Sequence, residues 1–485
     1  MLDSLQRPSS IGRRLTIGWA TAVAMWAIAY VTMMGPGLAI GEALVALMCA
    51  CLVLGGFVAG RRGGVRDGVV VGLVAAFVNL LLVGSLFGGK DHIVATQALG
   101  WIATLFGTSV PLAAIGGAIG GAVGRARGDR AAPRGASGDR GASGDRDAIL
   151  GGAAVAATEP REVHWPGAFA MVALATMLLM LVTGGLVTGL RAGLAVPDWP
   201  NSFGHNMLLY PLSEMKGGVY YEHAHRLYGM LVGLTTIVLV ALLWITDRRA
   251  WVKWLAVAVL AMVCVQGLMG ALRVTGEFTL SQDRAELAPS TPYAIAHGVF
   301  SQIVFATLAV LAAVTSTRWI VAPVPARTDA TRRDGTLTAV LLAATLVHLF
   351  LGVSYRQLRT WGEPGVSPPA WALHGHLTMA AIVIALTIYV ALRAMTRHPE
   401  ERKIGGLGRA ILGLLGLQLV LGIAALVVVL VWAKAPPPQL DPSTAHLFPP
   451  PLPPLGLATT TAHQAVGALL LAHIAMLAAW VRRVT

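Results

Sequence analysis

Long apolar runs recur along the whole chain and restrict it to a membrane fold. Each run holds roughly 20 apolar residues, which is enough to cross a hydrocarbon core about 30 Å thick. Of the 485 residues, 56% are hydrophobic and 12% are charged, whereas a soluble domain carries about 25% charged residues. The strict alternation of apolar and polar residues that is typical of membrane barrels is absent from the sequence. The sequence therefore predicts an all-α polytopic membrane protein.

About twelve transmembrane helices are predicted, in a group of four and a group of eight. The first four apolar runs cover about 15–34, 39–60, 68–88 and 95–123. The next segment, "GRARGDRAAPRGASGDRGASGDRD", is too rich in Gly, Ser, Asp and Arg to bury a core. The eight later runs cover about 166–190, 222–245, 251–272, 293–315, 336–355, 370–392, 408–433 and 459–481. We predict a four-helix membrane unit of unknown role (1–123), a disordered basic linker (124–160) and an eight-helix domain (161–485).

The positions of lysine and arginine predict the orientation of the helices. The net charge of +13 comes from basic residues in short loops between apolar runs, which is typical of topology signals rather than of nucleic-acid binding. In the eight-helix domain, alternate loops such as 246–253 and 393–409 are rich in these residues. The positive-inside rule places those loops, and both chain termini, on the cytoplasmic side of a cell (inner) membrane.

Every even-numbered helix of the eight-helix domain carries a histidine in its opening turns. These residues are His225, His297, His376 (or His374) and His463. A single histidine near a helix end is usually interfacial, but four at one depth, with none equivalent in the odd helices, indicate a function. Imidazole is the commonest metal ligand in proteins, and helix bundles build cofactor sites from facing side chains. Two cross-helix pairs would hold two bis-imidazole irons, and zinc fits less well because most of these histidines lack a nearby acid or thiolate.

Helical geometry separates the histidines that are close neighbours in the sequence. Residues two apart point in nearly opposite directions, so His223 and His225 cannot share one iron. The same holds for His374 and His376, and we favour His376 because Ala380 supplies a small residue one turn later. His348 stays outside the set, and His473 is expected to be a packed or hydrogen-bonded core residue.

One acid and several arginines accompany the histidines. Glu222 lies three residues before His225 and shares its helix face, so its carboxylate could handle protons or stabilise developing positive charge. The alternative is an acid favoured by the positive end of the helix dipole. The odd helices end in arginines, which either extend to lipid headgroups or bind anionic groups such as propionates. These arginines are Arg191, Arg273 and Arg356.

Several motifs resemble the haem A synthase family over about 166–481. The E-x-x-H-R motif stands at Glu222–Arg226, "GGLVTGLRAGLAVPDWP" (184–200) resembles the family's first helix and loop, and "QGLMGALRV" (266–274) and "HQAVGALLLA" (463–472) resemble its third and eighth helices. The resemblance implies two pseudo-symmetric four-helix bundles. It also implies oxidation of the C8 methyl of haem O to a formyl group, which gives haem A for terminal oxidases. It does not extend to the first four helices.

The resemblance also implies a role for each residue. His225 and His297 would hold the substrate haem, and His376 and His463 would hold a permanent haem b that relays electrons. Glu222 would assist oxidation at the methyl group, and Arg226 would support Glu222 or a propionate. The implied partners are haem O, a reduced electron donor, lipid and, as candidates, a haem O synthase and a terminal oxidase. Unlike some bacterial members, this chain has no cysteine pair in 191–221.

Two other classes of protein compete with this interpretation. A dihaem b-type electron-transfer protein without substrate oxidation would explain four histidines but would make Glu222 incidental. A conduit across the membrane would also place histidines at both depths, whereas these cluster on one side. A transporter would explain an internal repeat, but it predicts polar groups near the midplane rather than near the outer surface.

Overall fold

The computed structural model describes residues 10–33, 41–87, 95–131, 163–211, 214–275, 291–322, 324, 329–361, 369–398, 401–433 and 452–484. Within these ranges, eleven helices are long and apolar enough to cross a membrane. The prediction of an all-α, multi-pass membrane protein is therefore confirmed. The chain forms two compact units, Met1–Val78 with Ile102–Trp165 and Asn79–Trp101 with Pro166–Thr485.

Three helices contribute to the first unit. They are α1 (Ser10–Met33), α2 (Gly41–Phe87) and α3 (Ala95–Ala131). The apolar part of α2 has 39 residues, and as one straight helix it would extend about 58 Å, nearly twice the thickness of a hydrocarbon core. The helix is broken at Gly64, where φ is 62° and ψ is −147°, so it supplies two passes and brings the total to twelve. Most of the predicted linker, 132–160, lies outside the described residues.

Two arginines and one aspartate form a buried ion cluster in the first unit. Asp67 of α2 is fully buried. Arg13 donates to the Asp67 carboxylate and to the Ala59 carbonyl at 2.9 Å, and Arg14 Nε donates to Asp67 Oδ1 at 2.6 Å. Because a buried charge is costly unless it is paired, these contacts fix the start of α1 against α2.

The second unit contains the eight long helices that the sequence predicts, together with one short helix. They are α4 (Trp165–Gly189), α5 (Gly217–Thr246), α6 (Ala250–Thr275), α7 (Thr291–Val314), α8 (Thr317–Val321), α9 (Asp329–Trp361), α10 (Ala370–Arg397), α11 (Arg402–Ala433) and α12 (Pro454–Val484). In the first bundle, α5 packs on α6 and α6 on α7. In the second, α9 to α12 pack in sequence and α12 closes against α9. Helix α7 joins the bundles through α9 and α12.

The two ends of the second unit differ in their chemistry. The four candidate histidines lie in the opening turns of α5, α7, α10 and α12, and we call this end the histidine end. At the opposite end, Asp334 binds Arg393 Nη2 at 2.5 Å and His398 Nε2 at 3.0 Å, which fixes the start of α9 against the end of α10. Between α4 and α5, β1 (Asn201–Ser202) pairs with β2 (His205–Asn206) in a short antiparallel hairpin.

The ion cluster of the first unit generates a stability prediction. Asp67→Ala leaves Arg13 and Arg14 without their carboxylate, and the loss of one partner of a buried pair costs about 3 to 5 kcal/mol. Thermal unfolding of the full chain in detergent should show a clearly lower first transition. Arg66→Ala, at an exposed neighbouring position, is the matched control and should unfold like the wild type. Equal transitions in both variants would contradict the stabilising role of the cluster.

Candidate functional site

Each candidate histidine lies with its ring edge against a glycine of the preceding helix. A Cβ atom placed on that glycine would stand close to the imidazole Cε1 atom in all four helix pairs. The distances are 2.9 Å for Gly184 and His225, 3.3 Å for Gly270 and His297, 2.7 Å for Gly352 and His376, and 2.9 Å for Gly422 and His463. The same contact therefore recurs in α4/α5, α6/α7, α9/α10 and α11/α12.

The four contacts require glycine for steric reasons. A carbon atom closer than about 3.4 Å to another carbon is inside the normal contact distance of 3.5 to 4.0 Å. At Gly352 and Gly422, a methyl group would therefore force the imidazole to move. The absence of a side chain lets the edge of each ring approach the helix backbone. The helix backbone then restrains the orientation of the imidazole ring.

The second bundle brings three histidines together. The ring centres of His376 and His463 are 6.5 Å apart, with planes at 84°, and His348 stacks on His376 at 4.1 Å and 8°. His376 Nδ1 lies 3.2 Å from the carbonyl oxygen of His348. Because a carbonyl accepts only, Nδ1 carries the proton, and Nε2 is left as the ligand atom. His374 is exposed, so the geometry favours His376 of the two.

The first bundle holds His225 in the equivalent way. Thr183 Oγ1 donates to the Met180 carbonyl at 2.8 Å and lies 3.0 Å from His225 Nδ1. The threonine oxygen therefore accepts from Nδ1–H, and Nε2 of His225 is again the free ligand atom. His297 is close enough to His225 to interact electrostatically. Its Nδ1 is buried and has no hydrogen-bond partner in the described part of the chain.

His223 and His225 point to different sides of α5, as their spacing predicts. His223 is fully buried, with Nδ1 at 3.1 Å from Ser202 Oγ and its ring 5.0 Å from that of Tyr210. It therefore binds the hairpin that follows α4, on a different side of the helix from His225.

Arg226 connects Glu222 to the loop before α5. Its Nε donates to Glu222 Oε1 at 3.3 Å, and Glu222 is 5% exposed. Its Nη atoms donate to backbone carbonyls of the loop, namely those of Val196 at 2.6 Å, Asp198 at 2.6 Å and Asn201 at 3.0 Å. Four of the five guanidinium N–H groups are thus used within the protein. Of the two roles implied for Arg226, the geometry favours support of Glu222 over contact with a propionate.

Arg191 occupies a strained position at the end of α4. Its φ is 56°, its N–H bonds to the Thr188 carbonyl, and the Ala192 N–H bonds to that of Val187. These contacts form a Schellman turn, in which the left-handed residue is usually glycine. Burial, together with the positive charge of Arg359, lowers the pKa of Arg191 to about 10. Its Nη1 is buried and lacks a hydrogen-bond partner among the described residues.

The other two predicted arginines contact the protein itself. Arg273 Nη2 would lie 3.1 Å from a Cβ on Gly193, and the guanidinium interacts electrostatically with Glu222. Arg356 donates to the Gly185 carbonyl at 2.7 Å and to Gln464 Oε1. The predicted contacts of these residues with a ligand anion stay predictions.

Several polar residues around the imidazoles were not predicted as site residues. Gln266 donates to the His297 carbonyl at 3.0 Å, and Gln418 Nε2 lies 3.2 Å from His463 Nε2. Gln266, His348 and Gln418 each stand four residues before the glycine that contacts the next histidine. That spacing was the available signal, because residues four apart share a helix face.

Known proteins are similar in sequence to the part of the chain that carries His225 and His297. The family described as "COX15-CtaA: Cytochrome oxidase assembly protein" matches residues 167–361. Human heme A synthase COX15 is 26% identical over an alignment covering 28% of this chain and 40% of that protein. Residues 167–361 are therefore similar to this family of cytochrome oxidase assembly proteins. The chain therefore matches less than half the length of this relative.

The matched region covers the first bundle and α9. It contains Glu222, Arg226, His225 and His297, whereas His376 and His463 lie beyond it. The family resemblance seen in the motifs is confirmed for this region. The repeat of the glycine–histidine contact then extends the same architecture through α12.

The stability of the loop before α5, which contains Asp198, should depend on pH in the acidic range. Asp198 is partly buried, which opposes ionisation, but N–H donors from Gly204 and Phe203 and the charge of Arg226 together lower its pKa below the ordinary value. A lowered pKa in the folded state stabilises the loop above the unfolded value of about 3.9, and this stabilisation is lost as the pH falls through the folded value. Hydrogen-exchange protection factors of the Phe203 and Gly204 amides should therefore fall in that acidic range.

Asp198→Asn is the control for this prediction. The amide cannot ionise, so protection of the two N–H groups should be lower at neutral pH and nearly independent of pH in the acidic range. Wild-type protection that stays constant between about pH 5 and pH 2 would show that the carboxylate does not organise the loop.

Proposed function

We propose that this protein oxidises the C8 methyl group of haem O to a formyl group and so produces haem A. The observation that carries the proposal is the buried Glu222–Arg226 pair, one helical turn from His225 in the region that matches the family. The positions three residues before the other histidines hold Ala294, Leu373 and Thr460. A carboxylate therefore accompanies one pair of histidines only, and that pair is assigned to the substrate.

We assign His376 and His463 to a permanent haem b. Metal–imidazole bonds are about 2 Å long, and the ring centres of these two histidines lie 6.5 Å apart. Both imidazoles would therefore be within reach of one iron. The protonated Nδ1 of His376 supports the assignment further, because a ligating histidine commonly donates its other N–H to a carbonyl or carboxylate.

The residues around Glu222 suit oxidation at a carbon atom. A bound haem supplies one-electron and oxygen chemistry. Glu222 is held by Arg226 through Oε1, so its second oxygen can face the methyl group, where it would accept a proton or stabilise positive charge. Arg226 fixes the carboxylate in a site shielded from water, where an electrostatic contact is stronger than in solution. His225, with Nε2 free, would hold the substrate from one side and His297 from the other.

The location and partners follow from the same proposal. By the positive-inside rule, both termini would lie in the cytoplasm and the histidine end near the outer face of the membrane. A reduced donor must supply electrons to haem b, and haem O has to arrive from a haem O synthase. The product would then be passed to a terminal oxidase.

A dihaem electron-transfer protein is the second candidate function. It is supported by the geometry of Arg226, which neutralises Glu222 and ties it to the loop, as a purely structural acid would require. The two candidates differ in what they predict for the carboxylate.

Substitution of Glu222 separates the two functions. With a haem O source co-expressed, Glu222→Gln should reduce haem A formation by about 10²-fold or more, the usual contribution of a positioned acid or base. The low-spin b-type spectrum should remain, because Gln keeps the shape of the side chain. His463→Ala should instead lose that spectrum. Extracted pigment from cells expressing each variant gives both readouts, and full haem A production by Glu222→Gln would favour the electron-transfer function.

The glycine contact gives an independent test of the haem b site. Gly422→Ala places a methyl group 2.9 Å from His463 Cε1 and should lower the haem content of the purified protein several-fold. Gly416→Ala on the same helix meets no atom within 4 Å and should retain full haem. Alanine favours a helix over glycine by about 1 kcal/mol, so a loss confined to Gly422→Ala must come from the ring contact. Equal haem contents would contradict the assignment of His463.

A further inference from the structure

Two adjacent glycines of α4 face the two candidate sites. Gly184 lies against the ring of His225, as described above. A Cβ on Gly185 would stand 3.0 Å from Thr461 Cγ2 and 3.3 Å from Gln464 Oε1. Gly185 therefore touches α12 of the second bundle beside His463. These two glycines therefore lie between His225 and α12, the helix that carries His463.

Arg356 and Gln464 close a hydrogen-bonded bridge at this point. Arg356 of α9 donates through Nη2 to the Gly185 carbonyl at 2.7 Å and through Nη1 to Gln464 Oε1. Gln464 of α12 donates through Nε2 to the Leu181 carbonyl of α4 at 3.2 Å. The bridge thus joins three helices from both bundles. One turn further along α4, the Gly189 carbonyl accepts from Leu452 N at 3.2 Å, which also holds the start of α12 against α4.

We infer that Arg356 and Gln464 are positioning residues that couple the two candidate haem sites. They hold α4 and α12 at a fixed separation. They also complete a short route from His463 through the peptide bond to Gln464, across Arg356 to Gly185, and along the backbone to Gly184, which contacts His225. The electron-transfer part of this inference rests on the proposed function. The bridge itself is a property of the protein structure.

The bridge assigns Arg356 a different role from binding the anionic group of a ligand. Hydrogen bonds from a charged donor are about twice as strong as neutral ones. The planar guanidinium directs Nη1 and Nη2 to two acceptors at once, which the point charge of lysine cannot do. The acceptors here are an amide oxygen and a helix carbonyl, and they belong to different bundles. Arg356 is therefore expected to act through Gln464 and α4 rather than by touching a ligand.

A double-mutant cycle tests the bridge without any need for bound haem. Arg356→Lys, Gln464→Met and the double variant are compared with the wild type by thermal unfolding of the full chain in detergent. Each single variant should lower the unfolding temperature. The double variant should unfold at no lower temperature than the less stable of the two single variants, because both substitutions remove the same network. Arg393→Lys, at the opposite end of the second bundle, is the matched control, and its effect should add to that of Gln464→Met. Additive losses for Arg356→Lys and Gln464→Met would overturn the bridge.

Electron exchange tests the coupling. In purified full-length protein carrying its two haems, the rate of electron equilibration between them is followed after flash reduction. Gln464→Met and Arg356→Lys should each slow it several-fold, because each breaks a hydrogen-bonded step of the route. Their absorption spectra should stay unchanged, and Arg393→Lys should keep the wild-type rate. A purely structural role would not change this rate selectively.

Two outcomes would overturn the coupling in distinguishable ways. An unchanged exchange rate in Gln464→Met, with weaker haem retention in Arg356→Gln but not in Arg356→Lys, would show that Arg356 holds an anionic group of a ligand. Purified protein that binds no second haem when haem O is supplied would contradict the proposed function, and the electron route would fail with it. In that case the double-mutant cycle would still decide whether the bridge exists.

Discussion

The contact between a helix glycine and an imidazole edge sets the geometry of both candidate sites. A histidine side chain in a membrane bundle is polar and needs a defined partner. Here the ring lies against the preceding helix at a position without a Cβ, as at Gly352 and Gly422. A neighbouring polar atom then holds one nitrogen, as the His348 carbonyl holds Nδ1 of His376. For His376 this contact leaves Nε2 as the nitrogen available to a metal.

The contact between glycine and histidine recurs in both bundles, but different side chains surround the histidines. In the first bundle, Glu222 and Arg226 stand beside His225, and Arg226 also holds the loop that precedes α5. In the second bundle, the neighbour of the ligand pair is another imidazole, that of His348, stacked on His376. The stacked ring restrains the orientation of His376, and no carboxylate stands three residues before either His376 or His463. This difference is the basis for proposing the first site as the site of reaction and the second as the cofactor site.

Helix lengths and the faces of helices could be predicted from the local sequence, whereas contacts between distant segments could not. Apolar length predicted α4 to α7 within a few residues, and the break at Gly64 falls among basic residues that separate two apolar runs. The opposite faces of His223 and His225 follow from helical geometry. Arg356, in contrast, bonds to a residue 108 positions away in the chain. Nothing local distinguishes such an arginine from one that extends to lipid headgroups.

The predicted anion-binding arginines are thus unequal in the folded protein. Arg356 has acceptors from two bundles, and Arg226 has acceptors along the loop, so neither needs a ligand to satisfy its charge. Arg191 differs, because it keeps a buried Nη1 without a hydrogen-bond partner in the described ranges and holds a left-handed backbone where glycine is usual. Strain of this kind costs about 1 to 3 kcal/mol and persists where surrounding structure or function requires it. An anionic group at this point would satisfy the guanidinium, so Arg191 stays a candidate for the binding of such a group.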